Sequence, residues 1–294
     1  MEINTALLDS AIAFTFTLRK WGNIKKADKS MIETDSNKNM LKLSKCLIES
    51  PEYDAILSFQ AKVRQYLVMR SVPSFFKAGI YLFKEESVEL IDEYIKNQVL
   101  ELNRLVNALI EVYPEQVRAA RIQLNGQFNE SNYPDTATLR KLFKIEWNWI
   151  KLSIPEQLPQ QIFESEKEKA EQQWQEAAEE IIMCLRNGFK ELVDHAIDRL
   201  TVRPGQNKKV FRDSLIENIK EFIETFNMRN IMNDTELAEQ VRKARGILSS
   251  ISPADLRFND GIRDYTSDKF KTIQKELDRM IVTSPSRRFS FSEA

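Results

Sequence analysis

Between positions 88 and 113 the apolar residues Val88, Ile91, Ile95, Val99, Leu102, Val106, Leu109 and Tyr113 stand three or four apart throughout, which is the spacing of one face of an α-helix and not of a strand. A stripe of that length has to be covered, so helix packed on helix is the architecture the chain must first be tested against. Pro114 is expected to end this helix. A second stripe crosses 164–200 through Ala170, Trp174, Ala177, Ile181, Cys184, Gly188, Leu192 and His195 or Ala196. Unbroken, that helix would run about 55 Å, as a link between two regions or as an antiparallel coiled-coil arm.

Shorter helices follow from the same spacing at 52–70, 209–227, 235–249 and 267–282, with Asp234 placed to cap the third. Helices are also read, on thinner patterns, at 5–20 and 38–49. Two segments break the pattern. Residues 79–83 are β-branched and aromatic, and Phe143, Ile145, Trp147 and Trp149 alternate at period two; the two are read as partners in one small β-ribbon. The fold class expected is therefore mainly α: long amphipathic helices in a bundle, an extended helical arm and a small β-ribbon. Only seven glycines in 294 residues suit that class, because frequent tight turns would need more. Pro155 and Pro159 mark a boundary between an N-terminal helical region, 1–155, and a region of arm and helices, 160–282, with a flexible tail at 283–294.

The glycines at 22, 79, 126, 188, 205, 246 and 261 never come within four residues of one another, nor do any two stand five apart, which removes GxGxxG, GxSxG and the Walker A loop. A lone histidine, His195, removes HExxH zinc sites and multi-histidine metal centres. Glu191 and Asp198 lie about one turn either side of it, but an isolated imidazole on a helix reads first as a polar residue satisfied by a local carboxylate. Asn259, Asp260 and Gly261 imitate a calcium loop only superficially, since the acidic first position would be Leu256; a turn or helix boundary accounts for them better. No catalytic, cofactor or metal residues are assigned, and the chain is expected not to be an enzyme.

Cys46 and Cys184 are far apart without CxxC spacing, as befits reduced thiols in a cytoplasm. The apolar run at 11–16 lacks a basic segment before it and reads against a signal peptide. No uncharged apolar stretch reaches the roughly 18 residues of a membrane span. Charge is balanced overall, at −1, so a surface for anions has to be local. Eight glutamates against Lys167 and Lys169 make 156–180 acidic, a solvated helix face. Basic residues gather at Arg19, Lys20, Lys25, Lys26 and Lys29, at Arg203, Lys208, Lys209 and Arg212, and at Arg242, Lys243, Arg245, Arg257 and Arg263. The last two groups together are the candidate surface for an anionic partner.

The runs RQYLVMRSVPSFFKAGIYLF (64–83), NESNYPDTATLRKLF (129–143), KKVFRDSLIENIKEFIETFNMRNIMND (208–234) and SPADLRFNDGIR (252–263) resemble the bacterial and phage family catalogued as domain of unknown function 3150, over about 41–280. The resemblance implies a protein of phages or other mobile elements in a bacterial cytoplasm, working beside an AAA+ ATPase, and it transfers no site residues. The function expected is a non-enzymatic helical adaptor or scaffold with a protein partner, with or without self-association. The alternative is a nucleic-acid-binding accessory protein using the basic groups of 203–263.

Overall fold

In the computed structural model, which describes residues 11–73, 79–151, 157, 159–201 and 213–282, the chain runs β1 (Ala11–Arg19), β2 (Ile24–Lys26), β3 (Ser44–Cys46), α1 (Pro51–Arg70), β4 (Val72–Pro73), β5 (Ile80–Lys84), α2 (Val88–Leu124), α3 (Thr136–Lys141), β6 (Lys144–Lys151), α4 (Gln160–Leu200), α5 (Asp213–Arg229), α6 (Thr235–Leu248), α7 (Pro253–Phe258) and α8 (Asp260–Val282). Helices dominate, as the apolar spacing requires, and short 3-10 turns occupy several connections. None of the described helices is long and apolar enough to cross a membrane. The elements fall into two units, one of 1–13, 69–87 and 151–294 and the other of 14–68 and 88–150. The expected break near Pro155 lies close to this division at 150/151, but the N-terminal half is not one region: 69–87 belongs with the C-terminal helices.

In the first unit α4 packs along α8 and α5, and α6 closes on α5 and α8. The covered face of α4 is Trp174, Ala177, Ala178, Ile181, Leu185, Phe189, Val193, Ala196 and Leu200. The sequence stripe leaves this face between Ile181 and Ala196: Cys184, Gly188 and Leu192 fall one residue early, because i, i+4 steps carry the contact through Leu185, Phe189 and Val193. Phe189 is fully buried and stacks on Phe222 of α5 with centroids 5.0 Å apart. Nor does α4 link two regions; it lies within this unit. Asn259 ends α7, and its side chain accepts from the Ile262 amide at 3.1 Å, so the calcium-like triplet is a helix boundary.

A buried ionic junction joins three helices here. Arg186 of α4 donates to Asp234 through Nε at 2.7 Å and Nη2 at 3.1 Å, to Glu236 at 3.1 Å and to the Met280 carbonyl of α8 at 3.1 Å. Asp234 also caps α6 by accepting from the Leu237 amide, as its position predicted. Burial alone would raise the Asp234 carboxyl, but Arg186 and the capping amide outweigh it and hold the group below its usual range.

In the second unit the long stripe forms α2, which buries Ile91, Ile95, Leu102, Val106, Leu109 and Tyr113 as predicted. It does not stop at Pro114, however, but runs on to Leu124. The proline is exposed, so the carbonyl deprived of its amide partner can be met by water rather than left dry. Asn125, at φ 42°, then turns the chain out of the helix in the left-handed conformation asparagine tolerates.

The reading of 5–20 as helix is overturned where the chain is described: 11–19 is strand β1, with Phe14, Phe16 and Leu18 buried against the more exposed Thr15, Thr17 and Arg19. That period-two alternation outweighs helix propensity. The reading of 38–49 as helix is likewise overturned, by a 3-10 turn at Lys38–Met40 and strand β3. Its most buried residues, Leu47 and Ile48, are adjacent rather than three or four apart. Both predicted strand segments are strands, β5 and β6, but they do not pair with one another: β5 neighbours β4 and β1, and β6 neighbours β1. In β6 the indole N–H groups of Trp147 and Trp149 both donate to Asp92 of α2, at 2.8 and 3.1 Å, and Trp149 packs on Phe14 of β1 with centroids 4.5 Å apart. Bonds from Lys96 and these indoles hold the Asp92 carboxyl below its usual range.

Replacing Arg186→Ala is expected to cost about 3–5 kcal/mol, because it leaves Asp234 charged, buried and unpaired. The Asp234 carboxyl is more acidic folded than unfolded. Its contribution is therefore complete above the unfolded value near 4 and is lost as pH falls through the lower folded value. Urea midpoints taken between about pH 6 and about pH 3 should decline toward acid, and Asp234→Asn should be less stable at neutral pH with a flatter decline.

Candidate anion-binding surface

The residues that the sequence offered as an anionic-partner surface do not assemble as expected. Arg203, Lys208, Lys209 and Arg212 lie outside the described residues. Arg263 is not at the surface: it is 2% exposed and donates to the Leu200 and Arg199 carbonyls at 2.9 and 2.5 Å, where it closes the C-terminal end of α4. Arg257 is paired with Asp213. Lys243 is paired with Glu239 at 3.0 Å along α6. Arg245 donates to the Ile223 carbonyl of α5 at 3.1 Å. Arg242 is exposed and shares with Arg245 a shallow hollow of about 410 Å³ between α5 and α6, with Glu239 also in its wall. Helix ends and carboxylates have drawn most of the described members of this group into structural bonds.

A different basic group converges. In the second unit an open depression of about 1020 Å³ is lined by Lys25, Lys26 and Lys29, by Lys45, and by Arg121 with the 126–132 loop. The first three were visible in the sequence as the earliest basic cluster; Lys45 and Arg121, 16 and 92 positions beyond Lys29, were not placed with them.

Local sequence explains how the walls form. Strands β2 and β3 pair antiparallel with Ile24 opposite Cys46, Lys25 opposite Lys45 and Lys26 opposite Ser44. Asn23 closes one end by taking the Ile48 amide at 2.9 Å and donating to the Ile48 carbonyl at 2.8 Å, which imitates one more rung of the ladder. Buried Leu47 and Ile48 tie that end to the core. At the other end Asp28 caps the 3-10 turn Lys29–Met31 by accepting from Ser30. The Ser30 hydroxyl and amide, with lesser help from Lys38 and Lys45, hold the Asp28 carboxyl below its usual range.

Gln127 fastens this ribbon to the end of α2. Its side chain accepts from the Asp28 amide at 2.8 Å and donates to the Asp28 carbonyl at 2.7 Å, while its own carbonyl accepts from Lys45. Beside it Gly126 leaves room for Met31, whose sulfur would lie 3.3 Å from any added Cβ. Behind the depression, Phe128 stacks on Tyr133 with centroids 4.8 Å apart, and Arg121 lies over Phe128 at 4.8 Å while pairing with Glu130 at 2.9 Å. Tyr133 in turn donates to the Leu47 carbonyl at 2.9 Å and tilts against buried Trp21. The aromatic column thus forms the back wall, with Phe128 in contact with both Tyr133 and Arg121.

The lysines are left with charge to spare. Lys45 donates to the Gln127 carbonyl and Lys29 to the Lys38 carbonyl, both neutral acceptors. The side chains of Lys25 and Lys26 are exposed and bond to none of the described residues. Of the two carboxylates of the wall, Glu130 pairs with Arg121, and Asp28 bonds to Ser30 and forms no salt bridge. Placing Lys25 directly opposite Lys45 is unfavourable in itself, and a bound anion would relieve it.

His195 is exposed and accepts from Arg199 at 3.3 Å, so an arginine and not a carboxylate is its neighbour. Among the described residues no three of the His, Cys, Asp and Glu side chains are grouped to hold a metal ion. Fold and surface together define a mainly helical two-unit protein bearing an open cationic depression. No protein-family model, curated protein or solved structure matches the chain.

Gln127→Ala should loosen the clasp without unfolding the unit: amide hydrogen exchange is expected to quicken at 28–31 and 126–130 while protection in the middle of α2 stays unchanged.

Proposed function

We propose that this protein is a non-enzymatic helical adaptor, a scaffold that holds a protein partner in a bacterial cytoplasm as part of a phage or mobile element. The observation that carries the reading is the first third of α4. Residues 160–173 bury no side chain, and the covered face begins only at Trp174. About 21 Å of helix is thereby presented to a partner. Over 160–180 it carries seven glutamates against two lysines, and Glu164 and Glu168 lack a cationic partner among the described residues. A helix that exposes a net negative charge along its length suits docking on a basic groove, where charge sets approach and register. The AAA+ ATPase that the resemblance implies is the partner class, and the adaptor would couple it to whatever the second unit holds. The alternative nucleic-acid surface at 203–263 loses support from the internal bonds of Arg257, Lys243 and Arg245 and from the burial of Arg263.

Reversing Glu164, Glu168 and Glu176 to lysine should weaken binding to an AAA+ ATPase of the same genome by at least about tenfold in pull-down and calorimetric titration, an effect that shrinks with added salt. Unchanged affinity in the triple variant would remove the acidic helix from the account.

A further inference from the structure

We infer that the lysine-lined depression of the second unit is a binding site for the phosphate backbone of a nucleic-acid strand, read without regard to base sequence. The inference is separate from the adaptor reading, since it uses neither α4 nor an ATPase.

Charge segregation is the first ground. Across 19–45 stand eight lysines and arginines and three acids, a net of +5 in a chain whose total is −1. The rest of the protein therefore carries −6, and a polyanion meets attraction at this segment and repulsion from much of the remainder.

The second ground is the state of the cations. Lys25, Lys26, Lys29 and Lys45 line one depression from a strand, a turn and a second strand, and none forms a salt bridge with a carboxylate among the described residues. Ordinary surface lysines are offset by interspersed acids; here Glu130 pairs with Arg121, and Asp28 alone leaves the four lysines with a net positive charge.

The third ground fixes how the ligand is read. Phe128, the aromatic ring lining the depression, is already engaged by the Tyr133 ring and the Arg121 guanidinium, so it is not a free platform for a base. Arg121, the one arginine of the lining, is paired with Glu130 through Nη2 and lies over Phe128. The hollow is lined by four lysines, with Gln127, Asn129 and Asn132 beside them. Lysines of this kind neutralise phosphates and carry no sequence information. An acidic protein segment is the competing occupant, and it is disfavoured because recognition of a carboxylate peptide at a specific site is usually built on forked arginine contacts; the one arginine here is already paired.

The test is fluorescence anisotropy of the full chain with a labelled single-stranded DNA of mixed sequence, titrated at several salt concentrations. Four unneutralised ammoniums predict a slope of log affinity against log salt of about −3 on a single strand, or about a 50-fold loss between 50 and 200 mM. Lys25→Gln with Lys26→Gln removes two of them at exposed positions, so folding should be intact by circular dichroism. The slope should then halve, with about a sevenfold loss over the same range. Arg242→Gln in the first unit should change nothing. Scrambling the base sequence should leave affinity within about twofold. Failure to bind, binding unaltered by the double variant, or equal or tighter binding of poly-glutamate would each overturn the assignment. Loss of ATPase binding through the acidic helix would leave it standing, so the two readings fail separately.

Discussion

Arg186 sits where three helices of the first unit have to agree. Its guanidinium reaches the N-cap of α6 through Asp234, the first turn of α6 through Glu236, and the last turn of α8 through the Met280 carbonyl. Hydrophobic contact along α4 has no direction and would tolerate sliding of one helix on another. A bidentate arginine does not, because its donors are fixed in a planar fork. The apolar faces of α4, α5, α6 and α8 provide the cohesion, and this junction sets their register. Arg263 performs a related service at the other end of α4, where its donors satisfy two backbone carbonyls that the helix itself leaves unpaired.

The second unit uses the same device with neutral donors. Asp92 on α2 accepts from two indoles of β6, which spaces a strand against a helix whose apolar stripe would by itself permit several registers. Gln127 then joins the end of α2 to the β2–β3 ribbon by bonds to backbone on both sides. Because the Gln127 bonds join neutral groups, they bring the ribbon lysines to the end of α2 without consuming those lysines' charge. An open cationic depression is the result. In the first unit, by contrast, arginines do the joining, and most of the described arginines and lysines of 242–263 are spent on it.

Helices were legible wherever a stripe was long and unbroken. Those at 88–113, 52–70 and 235–249 could be read because apolar steps of three and four residues match the helical period and not the strand period. The errors fell where two periods compete over a short run. Residues 11–19 contain a clean alternation of Phe14, Phe16 and Leu18 with Thr15, Thr17 and Arg19, a strand signal that was available in the sequence. Pro114 misled because the cost of a proline depends on whether the freed carbonyl faces water, which no local pattern reports. The pairing of β5 and β6 with β1, rather than with each other, is a long-range choice among strands of similar character.

By itself the sequence determined the helical class, the cap at Asp234, the two strand segments flanking the long helices, and the absence of glycine-based phosphate loops, since each rests on residues within a few positions of one another. Tertiary structure alone decided which basic residues are free to meet a partner. Arg263 and Lys26 are equally charged in the sequence, yet one is enclosed by the end of a helix and the other stands exposed above a depression. That difference is one of burial and competing acceptors, and both come from residues tens of positions away, brought close only when the helices and the ribbon are packed.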